Sequence, residues 1–422
     1  RSGIRWDPPI LSSLDLQLGH TYTLRGPRQS GKTTTLKRLI SRLLDQGERR
    51  LLYHSFDLET DPEAIYQVIE RARVLHPGEE GPWFLFLDEV TSVQDWQKGL
   101  KHAWEVGLTR GDFIVATGSS AHDVRRGAEQ LPGRRGEGKD LLQLPMSFRD
   151  FCRVTGRAEI PEMTFEPTDV LSERATSILR QAYLQQDQLE RALRVYRRVG
   201  GFPAAVSGWV AHEEVQTSAV EDLWRTVSGD VAREGLNQTA AIKLLEEVAR
   251  CLGSRLNWTD AADAMDMKAP KGAKRYAHFL AESFALLIVH FWDRSGGTLR
   301  PQKQRKLYFT DPLFERIPPA LIPGAREPGE RAVIENLAAM GLFRSATGGL
   351  VQSTPTPGSI AYWRASGSGR EVDFLVPYDG KRKDRFPFEV KGDSTTAISA
   401  ARKALGQSFG TGVVLTTSVM EL

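Results

Sequence analysis

Along the first 120 residues, short continuous apolar segments alternate with longer segments in which apolar residues recur every three or four positions. The short segments have the pattern of buried strands, and the longer ones have the pattern of amphipathic helices. The predicted strands are "TYTLRG", "LLYHSFDL", "WFLFLDEV" and "FIVATGSS", and the predicted helices are "KTTTLKRLISRLLDQG" and "PEAIYQVIERARVL". This alternation predicts an α/β fold in which helices cover a parallel sheet.

Beyond about residue 141 the strand-like segments give way to amphipathic helices. Residues 238–293 predict three helices, and the last includes the apolar run "FLAESFALLIVHFW", which we interpret as a core helix. This run is shorter than a membrane span and contains Glu282, so we expect no membrane insertion. A basic, turn-rich segment follows. Three helices followed by a β-hairpin are the layout of a winged helix.

A segment rich in Pro and Gly, "LIPGAREPGE", precedes the last part of the chain. There a helix, three strands, a second helix and a final strand follow one another. This order predicts a further small domain of mixed α/β type.

The chain has 422 residues, enough for roughly two to four domains. Its 56 basic and 53 acidic residues leave a net charge of +3, which is too small to identify a partner. Any argument about nucleic acid therefore depends on local clusters. Two cysteines, Cys152 and Cys251, provide neither a disulfide framework nor metal-ligand spacing. This usage favours a reducing compartment, and we expect a cytoplasmic protein.

The segment "GPRQSGKTT" at residues 26–34 has the spacing G-x-x-x-x-G-K-[ST] and lies between a predicted strand and a predicted helix. Backbone N–H groups in such a turn and at the helix start can surround a phosphate chain. Lys32 would reach the β- and γ-phosphates of ATP, and the Thr33 hydroxyl would hold Mg²⁺. The predicted nucleotide-binding residues of this segment are Gly26, Gln29, Ser30, Gly31, Lys32, Thr33 and Thr34.

Two acidic residues, Asp88 and Glu89, lie near the carboxyl end of the apolar segment "WFLFLDEV". A carboxylate at the carboxyl end of such a strand can fix Mg²⁺, as we expect of Asp88, and Glu89 would orient or deprotonate the attacking water. The next predicted strand also ends in polar residues. There Thr117, Ser119 or Ser120 would sense the γ-phosphate or hold the water, although hydroxyl groups are also common in turns.

Four stretches resemble a bacterial and archaeal family of AAA-like ATPases: "LDEVTSVQDWQKGLKHAWEVG", "FIVATGSSAHDVRRG", "LPGRRGEGKDLLQLPMSFRDF" and "GGFPAAV". Members of this family carry a C-terminal domain of unknown function that is itself similar to PD-(D/E)XK nucleases. The resemblance extends over most of the chain and is weakest in the helical middle.

This resemblance implies two further roles at the ATP site. Arg134 and Arg135 lie where such ATPases have a conspicuous arginine. We expect an arginine there to act as a finger on the γ-phosphate, either within one chain or from a neighbouring subunit of a homo-oligomer. A solvated basic loop is the alternative. Pro203, in "GGFP", would pack near the adenine and report the nucleotide state to the helical region.

The winged-helix candidate is rich in basic residues. In a helix-turn-helix layout its third helix would enter a DNA major groove, with the basic groups on phosphates. A solvated basic face, a protein-binding winged helix or an intramolecular lid are the alternatives. The basic residues are Lys268, Lys271, Lys274 and Arg275 near the third helix, and Arg300, Lys303, Arg305 and Lys306 in the wing.

Near the C-terminus, "EVDFLV" and "FPFEVK" predict a hairpin with period-2 alternation. The alternation places Val372, Phe374 and Val376 on one face and Asp373 on the other. In the second strand it places Glu389 and Lys391 together, opposite the apolar residues.

Asp373, Glu389 and Lys391 have the order D-x(n)-E-x-K of PD-(D/E)XK nucleases, and Glu335 on the preceding helix offers a further acid. The three acids would bind Mg²⁺ or Mn²⁺, and the lysine would lower the pKa of a water or steady the leaving charge. The alternative is an inherited scaffold that carries these residues on the exposed face of an edge hairpin and does not cleave.

We therefore predict a P-loop AAA-like domain at residues 1–150, a helical lid region at 151–235, a winged helix at 236–322 and a PD-(D/E)XK-like α/β domain at 323–422. The leading hypothesis is an ATPase that acts with DNA and whose C-terminal domain cleaves DNA under nucleotide control. The alternative is a nucleotide-dependent switch or scaffold whose C-terminal domain binds nucleic acid or protein without cleavage.

Overall fold

The chain is an α/β protein in which one parallel sheet is followed by helices and a second, mixed sheet. The computed structural model describes residues 4–76, 81–118, 138–161, 169, 172–214, 216–347, 360–366, 370–378, 381–392 and 394–416. The predicted fold class is confirmed.

The N-terminal sheet has five parallel strands in the order β2-β3-β4-β1-β5. All four strands expected from the sequence are present. The fifth was not predicted, because it is only three residues long. The strands are β1 (Thr21–Arg25), β2 (Leu51–Ser55), β3 (Phe84–Asp88), β4 (Phe113–Gly118) and β5 (Asp140–Leu142).

Helices cover both faces of this sheet, and the apolar residues divide into two clusters accordingly. Leu36 and Leu39 pack in one cluster with Phe113. In the other cluster, Ile65 and Leu100 pack with the apolar residues of β3. The helices are α1 (Ile10–Ser13), α2 (Lys32–Asp45), α3 (Glu63–Leu75) and α4 (Trp96–Glu105).

A run of helices follows the sheet, as the sequence predicts. Much of their apolar surface lies in one large cluster that continues into the second sheet. These helices are α5 (Phe148–Thr155), α6 (Glu173–Tyr183), α7 (Gln186–Val199), α8 (Pro203–His212), α9 (Thr217–Arg233) and α10 (Gln238–Arg250). The short strand β6 (Arg255–Leu256), α11 (Trp258–Ala264) and α12 (Pro270–Glu282) come next.

The apolar run interpreted as a core helix is instead divided between a helix and a strand. The helix α12 ends at Glu282, Phe284 has a positive φ of 59°, and β7 (Leu286–Asp293) begins two residues later. The first five residues of β7 are all buried, so apolar and polar residues do not alternate along this part of the strand. Such a pattern does not distinguish a buried strand from a buried helix. β7 pairs antiparallel with β8 (Thr298–Phe309), and the hairpin therefore begins earlier than the sequence suggests.

The C-terminal strands join this hairpin in one seven-stranded sheet, with the order β12-β11-β10-β9-β7-β8-β6. The connection is a parallel pairing of β7 with β9. The new strands are β9 (Ala361–Arg364), β10 (Glu371–Tyr378), β11 (Lys381–Val390) and β12 (Val413–Leu415), and the remaining helices are α13 (Pro312–Glu315), α14 (Ile317–Leu321), α15 (Glu330–Thr347) and α16 (Thr395–Phe409). The predicted boundary between residues 322 and 323 thus falls within the part of the chain that builds a single sheet.

A register shift in β10 changes the predicted faces of that strand. The pairing of β10 with β9 shifts between Val372 and Leu375. Consequently Val372 and Leu375 pack in a cluster with α16, whereas Phe374 and Val376 pack in the larger cluster that includes α15. The prediction that Val372 shares a face with Phe374 and Val376 is therefore wrong, because such an irregularity re-aims side chains.

Across the described ranges, no helix combines the length and the apolar composition needed to cross a membrane.

Candidate functional site

The glycine-rich segment forms the connection between β1 and α2, as expected. A Cβ atom added to Gly26 would lie 2.0 Å from the carbonyl oxygen of Gln143, so only glycine can pass there. Gly31 has a φ of 93°, a left-handed conformation that also favours glycine. The two glycines allow the loop to turn tightly before α2 begins at Lys32.

Lys32 and Ser30 supply the polar interior of this loop. The buried Lys32 ammonium donates hydrogen bonds of 3.0 Å to the carbonyl oxygens of Gly26 and Pro27. Burial is the main cause that lowers the pKa of Lys32, and the nearby Glu89 carboxylate opposes it. Within the described structure, the Ser30 hydroxyl is buried and has no hydrogen-bond partner. A buried ammonium and a spare hydroxyl donor in a glycine-lined loop fit the phosphate chain of ATP.

Gln143 holds the loop from the opposite side, and it was not predicted from the sequence. Its side-chain amide donates to the Ser30 carbonyl oxygen and accepts from the Thr35 hydroxyl, both at 2.8 Å. Its backbone N–H donates to the Arg25 carbonyl oxygen. Gln143 follows β5 directly, and no motif indicates a glutamine whose partners are more than a hundred residues away.

Asp88 and Thr117 meet at the carboxyl ends of β3 and β4. The Thr117 hydroxyl donates to the buried Asp88 carboxylate at 2.5 Å and accepts from the Glu89 N–H at 3.0 Å. The Tyr53 hydroxyl, which the sequence did not single out, donates to the other Asp88 oxygen at 3.0 Å. Burial, and next the Asp88 charge, raise the pKa of Tyr53 to about 12, so the tyrosine stays a donor. Asp88 is thereby held in one orientation.

The phosphate loop also contacts the helical region. Arg28 forms an ion pair with Asp230 of α9 at 3.1 Å, and the Gln29 side chain donates to the Thr226 hydroxyl at 3.0 Å. Pro203, the first residue of α8, lies beside the loop, because a Cβ atom on Gly31 would be 3.6 Å from its ring. Of the other predicted residues, Thr33 is half-buried and Thr34 is exposed.

Asp311 connects the segment before Pro203 to the end of the hairpin. Its buried carboxylate accepts hydrogen bonds of 2.9 Å from the N–H groups of Gly201 and Leu313. A Cβ atom on Gly200 would collide with this carboxylate at 2.2 Å. Burial raises the pKa of Asp311 to about 6.

Glu315 and Asn336 continue this series of contacts to α15. The Asn336 side chain donates to the Glu315 carboxyl at 2.7 Å and accepts from the Phe309 N–H at 2.8 Å. Burial, and next the charge of Asp311, raise the pKa of Glu315 to about 8. Hydrogen bonds and packing therefore connect the phosphate loop with the helix that carries Glu335.

In the C-terminal sheet, Lys306 occupies the centre of a buried group of charges. Its ammonium lies 3.0 Å from Glu335, 2.9 Å from Glu371 and 2.9 Å from Asp373, and the side chain is 1% exposed. Burial alone would lower the pKa of Lys306, but the interactions with Tyr308 and then with the surrounding carboxylates outweigh burial and raise it. The prediction that Lys306 contacts a DNA phosphate is wrong for this arrangement, because the side chain does not reach the surface.

Two of the predicted acids, Glu335 and Asp373, contact Lys306, and the third, Glu389, lies beside Asp373. The Asp373 carboxylate accepts from the Val390 N–H at 3.0 Å, and the Glu389 carboxylate accepts from the Asp373 N–H at 3.1 Å and pairs with Lys391. Burial, and next the Asp373 charge, raise the pKa of Glu389 to about 7. Asp373 and Glu389 are each 7% exposed, so the alternative of an exposed edge hairpin is wrong.

A divalent metal does not fit these acids as they are arranged. Protein N–H, hydroxyl and ammonium groups already contact the carboxylates of Glu335, Asp373 and Glu389, with the Tyr308 hydroxyl on Glu335 at 2.6 Å. Among the residues that the structure describes, no three His, Cys, Asp or Glu side chains form a group that could hold a metal ion. The predicted Mg²⁺ or Mn²⁺ site is therefore not formed while Lys306 lies between the acids.

The other basic residues have different surroundings. Lys268, Lys271, Lys274 and Arg275 are exposed at and just before the start of α12. Arg305 is buried, with its guanidinium 4.5 Å from the Trp258 ring, so its predicted phosphate contact is also wrong. Arg300 pairs with Asp293 at 2.7 Å. Predictions for Ser119, Ser120, Arg134 and Arg135 fall outside the described residues.

Residues 19–152 match the family model of an AAA domain. This part of the chain is therefore similar to AAA domains. Its match includes the phosphate loop, Asp88, Thr117 and Gln143. Residues 190–313 match a second family model, described as Domain of unknown function (DUF8612). The second match covers the helical middle and the hairpin, whereas the resemblance had placed a domain of unknown function at the C-terminus.

Several solved structures are distantly similar. The Aeropyrum pernix ORC2 protein, in ADPNP–ADP complexes, has 15% identity and a TM-score of 0.36, with 77% of this chain and 89% of that chain covered. Cdc6p from Pyrobaculum aerophilum has 14% identity and a TM-score of 0.28, with coverage of 80% and 97%. A RuvB mutant from Thermotoga maritima has 15% identity and a TM-score of 0.31, with coverage of 63% and 81%. Among curated proteins, none matches the sequence.

Replacing Thr117 with valine removes the hydroxyl that orients Asp88 and the Glu89 backbone. We expect Thr117→Val to lower kcat for ATP hydrolysis by about 10- to 100-fold, as is usual for outer partners of metal ligands. Binding of ATP without Mg²⁺ should change little, since the phosphate loop is untouched. Phosphate release and titration with a fluorescent ATP analogue measure the two effects. Thr155→Val, whose hydroxyl bonds only to helix carbonyls, is the matched control. Unchanged hydrolysis in Thr117→Val would contradict this role.

The raised pKa of Glu315 predicts that the stability of the fold depends on pH. Because its pKa is raised to about 8 from an ordinary 4.5, the folded state keeps a proton that the unfolded state releases between these pH values. The free energy of unfolding should therefore fall as pH rises through this window, by up to about 1.4 kcal/mol per pH unit. Asp311 and Glu327 disfavour the charged carboxylate, whereas Arg197 and the Asn336 amide favour it.

Urea denaturation across this pH window measures the slope. Glu315→Gln keeps the site neutral at every pH, so we expect a flatter slope than in the unmodified protein. Glu173→Gln changes an exposed carboxylate and should leave the slope as it was. A slope that is the same in Glu315→Gln and in the unmodified protein would show that Glu315 is ionised in the folded state.

Proposed function

We propose that this protein is an ATPase whose nucleotide state controls how its helical and hairpin regions contact DNA. The observation that carries the proposal is the direct contact of the phosphate loop with α9, through the Arg28–Asp230 pair and the Gln29–Thr226 hydrogen bond, with Pro203 of α8 beside Gly31. A change at the phosphates would act first on these contacts. Order or domain closure that depends on a γ-phosphate is a common way for such a site to signal.

Each residue of the loop has a role in this proposal. ATP with Mg²⁺ supplies the phosphoanhydride bond that water attacks. Lys32 would hold the phosphates, and the Thr33 hydroxyl with the Asp88 carboxylate would hold the metal ion. Glu89 would orient or deprotonate the water, and Thr117 would keep both acids in position. An arginine contact from Arg134 or Arg135, and the homo-oligomer that one from a neighbouring subunit requires, stay predictions from the resemblance.

The DNA-contacting surface in this proposal is the start of α12. The order of α10, β6, α11, α12, β7 and β8 supports a winged helix. Lys268, Lys271 and Lys274 are exposed there, and within the described residues no carboxylate pairs with them. Arg275 is also exposed and forms an ion pair with Glu234 at 3.8 Å. Unpaired lysines on an exposed helix are suited to phosphate contacts with little sequence preference.

We further propose that the C-terminal sheet contributes binding rather than cleavage. The support is Lys306, whose ammonium lies between Glu335 and Asp373, two of the three carboxylates that a metal ion would need. The second candidate is a metal-dependent nuclease. It is favoured by the meeting of Asp373, Glu389, Lys391 and Glu335 in one buried group.

Binding and cleavage of a labelled duplex, with and without ATP, test the main proposal. Lys32→Ala should abolish ATP hydrolysis and the effect of ATP on duplex affinity. Lys271→Ala with Lys274→Ala should reduce the slope of log affinity against log salt by roughly 1.8, since each phosphate contact contributes about 0.9. A duplex affinity in the presence of ATP that changes neither in Lys32→Ala nor in the Lys271 and Lys274 double variant would overturn the proposal. Metal-dependent nicking that disappears in Lys391→Ala would favour the nuclease.

Lys306→Met tests whether the acids can accept a metal at all. Removing one partner of a buried ion group leaves uncompensated charge, so we expect the free energy of unfolding to fall by about 3–5 kcal/mol. If Lys306 is a resident cation in the place of a metal, Mn²⁺ should raise the Tm of this variant and leave that of the unmodified protein unchanged. Lys271→Met, at an exposed position, is the control. If Mn²⁺ raises the Tm of the unmodified protein and this rise disappears in Asp373→Ala, the proposal that Lys306 occupies the place of a metal ion is contradicted.

A further inference from the structure

A cleft of about 370 Å³ opens where the hairpin meets the C-terminal strands. Its walls come from β6, β7, β8 and β9, so it exists only because these strands share one sheet. It is separate from the phosphate loop and from the exposed lysines of α12. The side chains that define it are Arg255, Phe291, Lys303, Gln304, Tyr362 and Arg364.

The cleft carries more positive than negative charge. Three of its lining residues are cations, and none of its lining residues is an acid. Within the described structure, no carboxylate pairs with Lys303 or Arg364. Arg255 lies 3.5 Å from Glu371, but Glu371 also pairs with the buried Lys306 at 2.9 Å. One carboxylate thus serves two cations, and the cleft remains a favourable place for an anion.

Aromatic rings form the second component of the cleft. Phe291 is half-buried and lies edge-to-face with Tyr362 at 5.7 Å between centroids. The Tyr362 hydroxyl donates to the Gln304 carbonyl oxygen at 2.7 Å, which fixes the ring. The Lys303 ammonium lies 4.9 Å from the Phe291 ring centroid. Arg255 in turn donates to the Gln304 side chain at 2.8 Å, so the polar and aromatic groups hold one another in place.

We propose that this cleft binds a segment of single-stranded nucleic acid. Cations beside an aromatic platform match the combination of phosphate and base that such a strand presents, and bases of any sequence can stack on a ring. The volume is at the lower end of the range for small-molecule sites, room for about one or two nucleotides but not for a duplex. Lys303 and Arg364 contact the phosphates, and Phe291 contacts a base. The inference rests on the proposed nucleic-acid partner, but it uses a different surface from the lysines of α12.

The test measures affinity for a labelled oligothymidylate of about 12 nucleotides and for a labelled duplex, by fluorescence anisotropy over a series of salt concentrations. Lys303→Ala with Arg364→Ala should weaken single-strand binding by about tenfold or more and reduce its salt slope by roughly 1.4, since each single-strand phosphate contact contributes about 0.7. Duplex binding should stay within about twofold. The matched control is Lys271→Ala with Lys274→Ala, which removes two charges from α12 and should leave single-strand binding unchanged.

Phe291→Leu keeps an apolar side chain but removes the ring. It should weaken single-strand binding at every salt concentration and leave the salt slope unchanged. Thermal melting confirms that each variant is folded before its affinity is compared.

The outcomes separate this inference from the proposed function. Duplex binding without single-strand binding in the unmodified protein would overturn the cleft alone. Single-strand binding that is weakened in the Lys303 and Arg364 variant and in Phe291→Leu, but not in the Lys271 and Lys274 variant, would support the cleft, even if duplex binding is absent and the α12 surface is overturned. Single-strand binding that is equal in all variants would overturn the cleft, as would binding of labelled polyglutamate in the cleft without any binding of the oligothymidylate.

Discussion

The buried ammonium of Lys306 constrains the whole C-terminal half of the chain. An unpaired charge in a protein interior is very costly, so Lys306 on the hairpin requires Glu335 on α15 and Glu371 and Asp373 on β10. Breaking one of these contacts leaves a buried charge without its partner. Keeping all of them holds β8, α15 and β10 in position relative to one another. The parallel pairing of β7 with β9 and the shared apolar cluster agree with this arrangement. The hairpin is therefore an internal part of the sheet.

The N-terminal half could be predicted well because its signals are local. Four buried strands, the phosphate loop and the position of Asp88 each follow from short stretches of sequence. Gln143 and Tyr53 were missed because their partners are distant along the chain and neither belongs to a motif. β7 was misassigned because a fully buried strand has the composition of a buried helix.

The C-terminal acids were predicted only in part from the sequence. The order of Asp373, Glu389 and Lys391 correctly predicted that these residues meet. It could not predict that Lys306, one of several basic residues in a row, would turn inward to join them. That outcome depends on the register shift in β10 and on the pairing of β7 with β9, which are long-range features. A charged side chain in a basic segment is exposed in most proteins, and here the tertiary contacts override that tendency.

The continuous second sheet also restricts how the chain can be divided. Removing the residues beyond 322 would take away β9 and leave β7, whose side chains are mostly buried and apolar, as an open edge. Such an edge is a template for pairing with other chains. The C-terminal strands therefore behave as a protective cover for the hairpin. A chain that ended before β9 would therefore need another strand, or another protein, to pair with the exposed edge of β7.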